Sequence, residues 1–191
     1  MKLFYMSVIV AAMTLVFVAC KRGNNKEQTV QAEREAEQVS PSANEAGDFK
    51  IDFTMADIDG NQVAVLDEFA KHELTVIDFW ASWCGPCRQE MPNLVKTYNE
   101  YKDKGLGIIG VSLDEDREQW TKAVKDMDME WLQLSDLQGW HNAAARMYGI
   151  QAIPFTIVVD KGGYLVEAGL RGEQLHKLIA GRLGEGVSAG E

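Results

Sequence analysis

Cysteine is scarce in this sequence, with three residues among 191. Three cysteines are too few for a disulfide-rich scaffold and too few for a zinc site built from four thiolates. Basic residues are also fewer than acidic residues. The chain has 19 Lys and Arg but 29 Asp and Glu, which gives a formal net charge of −10. This balance argues against a protein whose main task is to hold phosphate backbones, which requires a concentrated basic surface.

Apolar residues are plentiful, since 46% of the chain is hydrophobic and 25% is charged. This composition excludes a globally disordered chain and predicts a folded core. The length predicts one domain with some chain left over.

The first 20 residues have the layout of a secretory signal. Lys2 precedes the apolar run Leu3–Ala19, which is broken only by Ser7 and Thr14. Cys20 follows Ala19 directly, and a small residue before a cysteine resembles the bacterial lipoprotein signal. We therefore expect residues 1–19 to be a cleaved signal peptide and Cys20 to be lipidated. The alternative is an uncleaved membrane anchor, because 17 apolar residues lie at the lower limit of what spans a bilayer.

A polar segment over residues 21–47 follows, in which Val30 and Val39 are the only large apolar residues. Such a segment cannot bury enough apolar surface to offset its conformational entropy. We expect residues 20–47 to be a lipidated N-terminus and flexible linker spanning about 30 Å, or to contain a marginal isolated helix over 28–38. A folded domain over 48–183 and a frayed tail over 184–191 complete the predicted organisation.

The remaining sequence alternates between strand and helix patterns. The runs over 74–80 (LTVIDFW) and 106–113 (LGIIGVSL) are almost continuously apolar, as in strands buried on both faces. A turn signal over 57–61 predicts a short strand pair before them, over 49–54 and 62–66. Further extended segments are expected over 131–134, 155–160 and 164–168, the last two joined as a hairpin.

Apolar residues at helical spacing predict four helices between and after these strands. The stripes are Met91, Leu94, Val95 and Tyr98; Trp120, Ala123, Val124 and Met127; Trp140, Ala143, Ala144 and Met147; and Leu175, Leu178 and Ile179. Ser135 and Gln138 form a capping-box pattern ahead of the third stripe. The alternation predicts an α/β fold with a mixed central sheet flanked by helices, and Trp120, Trp131, Trp140 and the Met residues are expected in the core.

Two cysteines, Cys84 and Cys87, enclose Gly85-Pro86 between the strand over 74–80 and the first helix. A helix N-terminus offers partial positive charge and free N–H groups that stabilise a thiolate. Two intervening residues allow the second sulfur to attack a mixed disulfide formed at the first. The spacing favours a redox-active dithiol over a half zinc site or a purely structural disulfide, because the three histidines are scattered singly and the closed loop is very small.

Two segments carry a family resemblance. FWASWCGPC, residues 79–87, closely resembles the thioredoxin active site, and YGIQAIP, residues 148–154, resembles the segment that carries the cis-proline of that family. With an added α/β element around 106–135 and Glu90 three residues after Cys87, residues 48–183 resemble the membrane-tethered TlpA/ResA-type thiol–disulfide oxidoreductases. The resemblance implies a thioredoxin-like fold with an N-terminal strand pair and an inserted α/β element.

The resemblance also assigns roles by position. It implies that Cys84 is the exposed attacking thiolate and Cys87 the buried resolving thiol. It further implies that Pro154 is cis and faces the two sulfurs, which leaves the Ile153 backbone free to pair with an extended substrate segment. The expected substrate-binding residues are Trp83, Gly85, Pro86, Ile153 and Pro154.

Two carboxylates, Asp78 and Glu90, complete the predicted catalytic set. Asp78 lies in an otherwise apolar run, so its pKa should be raised, and it suits a proton acceptor for Cys87 or else a satisfied buried acid. Thioredoxin has Asp at this position and pairs it with a buried Lys on the next strand, whereas residues 110–113 here contain no Lys. The resemblance implies that Glu90 tunes the thiol pair, and the alternative is a solvated carboxylate near the helix N-terminus.

These residues predict a thiol–disulfide oxidoreductase that reduces disulfides of extracytoplasmic proteins, since CGPC resembles reducing members of the family. We expect no cofactor beyond the redox-active Cys84–Cys87 pair, no metal and no nucleic acid partner. The expected partners are disulfide-containing proteins and a membrane electron donor, and the lipid would hold the domain at the membrane on the periplasmic side. The alternatives are a peroxiredoxin-like reductase, whose Pro-x-x-x-Thr-x-x-Cys pattern is missing around Cys84, and a disulfide-dependent sensor or binding module.

Overall fold

The computed structural model describes residues 49–184. The predicted signal peptide, Cys20, the linker and nearly all of the predicted tail lie outside the described residues. The strands are β1 (Thr54–Ala56), β2 (Gln62–Ala64), β3 (Leu74–Trp80), β4 (Leu106–Ser112), β5 (Leu132–Leu134), β6 (Phe155–Asp160) and β7 (Leu165–Ala168). The α-helices are α1 (Val65–Phe69), α2 (Gly85–Tyr101), α3 (Arg117–Asp126), α4 (Ala143–Met147) and α5 (Gly172–Leu183).

Five strands form a mixed sheet in the order β5-β4-β3-β6-β7. β3 and β5 are parallel to β4, whereas β6 is antiparallel to both β3 and β7. Every residue of β3 and β4 is buried, because helices cover both faces of the central strands and continuous apolar runs suit that position. The predicted mixed sheet with flanking helices is therefore confirmed, and α3 with β5 forms the inserted α/β element.

The strand register brings three chain segments to one edge of the sheet. Trp80 at the end of β3 lies opposite Ser112 at the end of the parallel strand β4. Phe79 lies opposite Phe155 at the start of the antiparallel strand β6. The Cys84 loop, the segment after Ser112 and the segment before Phe155 therefore meet at this edge.

The N-terminal strand pair is present but shifted. β1 and β2 pair as antiparallel strands, whereas residues 49–53 lie outside both, and the expected strand over 49–54 is wrong except for Thr54. The backbone there bonds elsewhere: Ile51 N–H donates to Gly163 O (2.8 Å), and Phe53 O accepts from Val65 N–H (3.0 Å). The second strand ends at Ala64, because the chain turns directly into α1.

The predicted capping box is also wrong. α4 begins at Ala143, and its N-cap is Asn142, whose side-chain oxygen accepts from Ala145 N–H at 3.0 Å. Ser135 instead donates through its hydroxyl to Ser112 O at 2.9 Å and so joins the end of β5 to β4.

Three of the four residues of the third apolar stripe, Trp140, Ala143 and Met147, are not in the core. Trp140 is 45% exposed and Met147 is 62% exposed, contrary to the predicted burial of this stripe. Trp140 belongs to a short 3₁₀ helix over 139–141, and Met147 is the last residue of the five-residue α4. One continuous helical stripe therefore never forms there, while Ala144 remains buried.

Candidate active site

A disulfide joins Cys84 and Cys87 at the start of α2, with an S–S distance of 2.04 Å and a Cα–Cα distance of 5.3 Å. Cys84 is the N-cap of this 17-residue helix, and its sulfur accepts a hydrogen bond from Cys87 N–H at 3.2 Å. Pro86 lies in the first turn, where the helix requires no N–H from it. A thiolate at Cys84 would therefore face the positive end of the helix dipole and at least one backbone donor.

Both cysteines are buried in this disulfide form. Cys84 is 5% exposed and Cys87 is 1% exposed, so the expectation that Cys84 is an exposed residue is wrong here. In this form the Cys84 sulfur is bonded to that of Cys87 within the first turn of α2, and Cys84 N–H donates to Ala81 O at 3.1 Å.

The loop between β3 and α2 is tied to the end of β4. Asp114 accepts from Ser82 N–H at 3.0 Å and from the Ser82 hydroxyl at 2.6 Å. It also accepts from the Ser112 hydroxyl at 2.7 Å, and all three side chains are buried. This network positions the residues just before Cys84. Our sequence analysis missed it, although the Ser-x-Asp end of a buried strand was a visible signal.

Asp78 lies in the middle of β3, opposite Gly110 on β4 and Thr156 on β6. It is 4% exposed. Burial removes the carboxylate from water and raises its pKa from 3.8 to about 7, and the negative charge of Glu90 adds to this shift. The raised pKa predicted from sequence is therefore confirmed, and this carboxyl group can take up or release a proton near neutral pH.

Glu90 lies in the second turn of α2 and is partly buried. Its Oε1 atom accepts from Gly172 N–H at 2.8 Å, which joins α2 to the start of α5. Its negative charge contributes to the raised pKa of Asp78. The structure thus places Glu90 as a neighbour of the buried acid, with a structural contact of its own.

Gln133 on β5 is a buried polar residue that the sequence analysis did not single out. Its Oε1 atom accepts from the indole N–H of Trp80 at 3.2 Å, across the intervening strand β4. A Cβ atom at Gly110 would lie 2.3 Å from this oxygen, so the Gln133 amide occupies the space above Gly110. A glycine in the centre of a buried strand was the available signal, because it marks a place where another group approaches the backbone.

The peptide bond between Ile153 and Pro154 is cis, as expected from the resemblance. Because Phe155 lies opposite Phe79, Pro154 comes next to the end of β3, at the same sheet edge as the Cys84 loop. Both residues are partly buried. Within the part of the chain that the structure describes, the Ile153 backbone forms no hydrogen bond to another backbone group.

An open groove is lined by Trp83, the residue directly before Cys84. Trp83 is 53% exposed and packs against Trp140 with ring centroids 6.4 Å apart. The groove has a volume of about 360 Å³ and its charged lining residues are all acidic. Its lining is Trp83, Leu113, Asp114, Glu115, Asp116, Gln119, Gly139 and Trp140.

Residues 49–184 contain no group of three or more His, Cys, Asp or Glu side chains arranged to hold a metal ion. None of their helices combines the length and the hydropathy needed to cross a bilayer.

Known proteins resemble this chain over the same region. The Redoxin family model matches residues 41–178. The thiol-disulfide oxidoreductase ResA of Bacillus thuringiensis subsp. konkukian is 30% identical over 130 residues, which cover 68% of this chain and 72% of that protein. The thioredoxin-like protein YneN of Bacillus subtilis is 34% identical over 117 residues, which cover 60% of this chain and 65% of that protein.

Solved structures agree with these sequence matches. The thioredoxin domain of a thiol-disulfide oxidoreductase from Bacteroides vulgatus superposes with a TM-score of 0.65 at 36% identity, covering 72% of this chain and 97% of that domain. A thiol:disulfide interchange protein DsbE from Chlorobium tepidum gives a TM-score of 0.63 at 29% identity, covering 72% of this chain and 97% of that chain. This chain therefore belongs to the Redoxin family and is a TlpA/ResA-like thiol–disulfide oxidoreductase of the thioredoxin superfamily.

Proposed function

We propose that this oxidoreductase works as a reductase of disulfide-containing proteins outside the cytoplasm, with Cys84 as attacking thiolate and Cys87 as resolving thiol. The observation that carries the proposal is the hydrogen bond from Cys87 N–H to the Cys84 sulfur at the N-terminus of α2. This arrangement stabilises negative charge on Cys84 and leaves Cys87, the more buried cysteine, one helical turn further along.

The first step is attack of the Cys84 thiolate on a substrate disulfide. A bond forms between Cys84 and one substrate sulfur, and the other substrate sulfur leaves as a thiolate that takes a proton from solvent. The two proteins are then joined by a mixed disulfide.

The second step is attack of Cys87 on the Cys84 sulfur. Asp78 takes the Cys87 proton, directly or through water, because its pKa of about 7 suits proton transfer at neutral pH. The Cys84–Cys87 disulfide forms and the second substrate sulfur leaves as a thiolate, so two electrons pass to the substrate. An electron donor must return two electrons and two protons, and we assign this role to a membrane partner.

Substrate binding would use the sheet edge where Pro154 and the Cys84 loop meet. The free backbone groups of Ile153 suit a short antiparallel pairing with an extended substrate segment. Gly85 and Pro86 are exposed beside the disulfide, and the groove between Trp83 and Trp140 provides apolar surface next to it. These features favour a protein substrate over a small oxidant.

Location outside the cytoplasm is inferred from the N-terminal pattern, in which a lipid on Cys20 and the polar segment 21–47 would tether the domain. Titration of the denatured, reduced lipoprotein tests this, because lipidation leaves only Cys84 and Cys87 as free thiols. Two thiols per chain would support the anchor. Three would contradict it without affecting the redox proposal.

Trapping with Cys87→Ser tests the catalytic order. This variant should accumulate mixed disulfides on Cys84, whereas Cys84→Ser should accumulate far fewer, because Cys84 rather than Cys87 is the N-cap of α2, where the helix stabilises a thiolate. Equal trapping by the two variants would overturn the assignment. Partners that still bind when both cysteines are serine would instead favour a binding module.

The reduction potential tests the direction. A value near that of thioredoxin, roughly −270 mV, would support a reductase, whereas a value near that of DsbA, roughly −120 mV, would indicate an oxidase.

A further inference from the structure

We propose that Gln133 is a positioning residue for Asp78, and that its side-chain NH₂ group donates a hydrogen bond to the Asp78 carboxylate through one bridging water. The inference gives Gln133 a part in the reaction only if Asp78 is the proton acceptor proposed above. The hydrogen bond itself is independent of that role and is tested separately.

Asp78, Gly110 and Gln133 form one row across three strands. Asp78 lies opposite Gly110 in the β3–β4 register, and Gly110 lies opposite Gln133 in the β4–β5 register. Residues opposite each other in neighbouring strands present their side chains on the same face of the sheet. Since Gly110 has no side chain, nothing on β4 separates the Gln133 amide from the Asp78 position.

The Gln133 amide reaches into that opening. A Cβ atom at Gly110 would lie 2.3 Å from Oε1 and 2.8 Å from Nε2 of Gln133, so the amide lies directly over the Gly110 backbone. Adjacent strands are about 4.8 Å apart. The amide is thus one strand away from Asp78, close enough for a single water to join the two groups.

The orientation of the amide is determined by Trp80. An indole N–H can only donate, so the Gln133 atom 3.2 Å from it is the oxygen. The NH₂ group then has no hydrogen-bond partner among the described residues, although Gln133 is 4% exposed. A buried donor without a partner is rare in folded proteins and points to a bridging water or a nearby acceptor.

Asp78 is the acceptor that fits. It lies in the same row, it is buried, and its other register neighbour, Thr156, donates its hydroxyl to Leu170 O. The charged group that acts on Asp78 from the covering helix α2 is Glu90, which repels the carboxylate and cannot donate to it. A donor from Gln133 would stabilise the ionised carboxylate and keep Asp78 able to accept a proton at neutral pH.

The first test leaves Gln133 unchanged and compares the wild-type protein with Asp78→Asn. In the oxidised full-length protein, the NMR signals of the Gln133 side-chain NH₂ group are followed against pH, alongside the carboxyl carbon signal of Asp78. We expect the NH₂ signals to shift with the same midpoint as Asp78 and to lose that pH dependence in Asp78→Asn. NH₂ signals that do not change across the Asp78 titration would overturn the inference.

A volume-matched variant, Gln133→Met, gives the second measurement. Removal of the donor should raise the Asp78 midpoint by about one pH unit, because the charged form loses a hydrogen bond. Thr156→Val is the control, since it changes the other register neighbour of Asp78 but leaves the Gln133 amide and the Trp80 indole in place, and its midpoint should change less. An unchanged midpoint in a folded Gln133→Met protein would contradict the inference.

The proton-acceptor role of Asp78 is tested separately from its hydrogen bond to Gln133. If the NH₂ signals follow Asp78 but Asp78→Asn resolves mixed disulfides at the wild-type rate, the hydrogen bond exists and the proton-acceptor role of Asp78 fails.

Discussion

Asp114 accepts two hydrogen bonds from Ser82, at 3.0 Å from its backbone N–H and at 2.6 Å from its hydroxyl. Ser82 lies two residues before Cys84, and Asp114 follows β4, so the contact joins the loop between β3 and α2 to the central sheet. Since Asp114 is 1% exposed and also accepts from Ser112, three donors depend on one buried carboxylate.

Replacement of this carboxylate should therefore destabilise the oxidised protein. Asp114→Ala leaves buried donors on Ser82 and Ser112 without a partner, and we expect the free energy of unfolding to fall by about 3 kcal/mol. Asp114→Asn keeps an acceptor oxygen and should lose less. Urea unfolding measures both.

The control for this prediction is Asp103→Ala, which removes an exposed carboxylate after α2 and should change the free energy of unfolding by less than about 0.5 kcal/mol. If Asp114→Ala were no more costly than Asp103→Ala, the network would not position the loop as described.

The elements that the sequence predicted well are those whose local hydrophobic pattern matches their burial in the fold. The apolar runs of β3 and β4 predicted their bounds to within one residue, and Cys84 to Cys87 fell at the start of α2 as expected. A strand buried on both faces requires little besides continuous apolar residues, so the local sequence pattern is sufficient to locate it.

The sequence-based predictions were wrong where tertiary contacts replaced local ones. Ser135 bonds to Ser112 instead of capping a helix, and the backbone of residues 49–53 bonds to distant segments rather than to a partner strand. Gln133 depends on three strands being adjacent, an arrangement that sequence spacing alone does not reveal. The catalytic centre was therefore more predictable than the polar groups around it.

Asp78→Asn should change stability in a pH-dependent way. With its pKa raised from 3.8 to about 7, native Asp78 holds its proton more tightly than the unfolded chain does. Wild-type stability from this group is therefore fully present below pH 4, falls as pH rises from about 4 to 7, and stays low above that range. Since Asn remains neutral, the variant should be more stable than wild type at pH 8, by on the order of 4 kcal/mol, and similar at pH 4.

Urea unfolding of the oxidised proteins at pH 4 and pH 8 measures this difference. A stability difference that does not depend on pH would show that Asp78 is already ionised in the native protein well below pH 7.

The same variant should slow one chemical step. Without a proton acceptor, attack of Cys87 on the mixed disulfide should be slower by about 100-fold, as is typical when general-base assistance is lost. The attack of Cys84 on substrate should change little, because that step does not use the Cys87 proton. Single-turnover kinetics with a fluorescent disulfide substrate separates the two steps, and equal slowing of both would contradict the assigned role.

Glu90 has two separable effects that a pair of variants distinguishes. Glu90→Gln removes the negative charge that helps to raise the pKa of Asp78 but keeps an acceptor oxygen for Gly172 N–H. Glu90→Ala removes both. We expect the Asp78 pKa to fall in both variants, while only the Ala variant loses about 1 kcal/mol of unfolding free energy.

Carboxyl-carbon NMR titration and urea unfolding measure these two effects. If the Gln and Ala variants were equally unstable, the contact with Gly172 would contribute nothing. An unchanged Asp78 pKa in both would remove Glu90 from the proton chemistry.

Trp140→Ala should weaken the binding of protein substrates without affecting the chemistry. Trp140 is 45% exposed, packs against Trp83 and lines the groove, but it bonds to neither cysteine. Loss of an aromatic contact at an interface commonly costs more than 1 kcal/mol, so KM for a protein disulfide should rise about fivefold to tenfold with kcat nearly unchanged. Reduction of a small disulfide such as oxidised glutathione should keep its wild-type rate, because it is too small to cover the groove.

Met147→Ala is the matched control, since Met147 is 62% exposed but lies outside the groove lining, and its KM should stay at the wild-type value. Equal increases in KM for Trp140→Ala and Met147→Ala would mean that general surface hydrophobicity, rather than this groove, attracts the substrate.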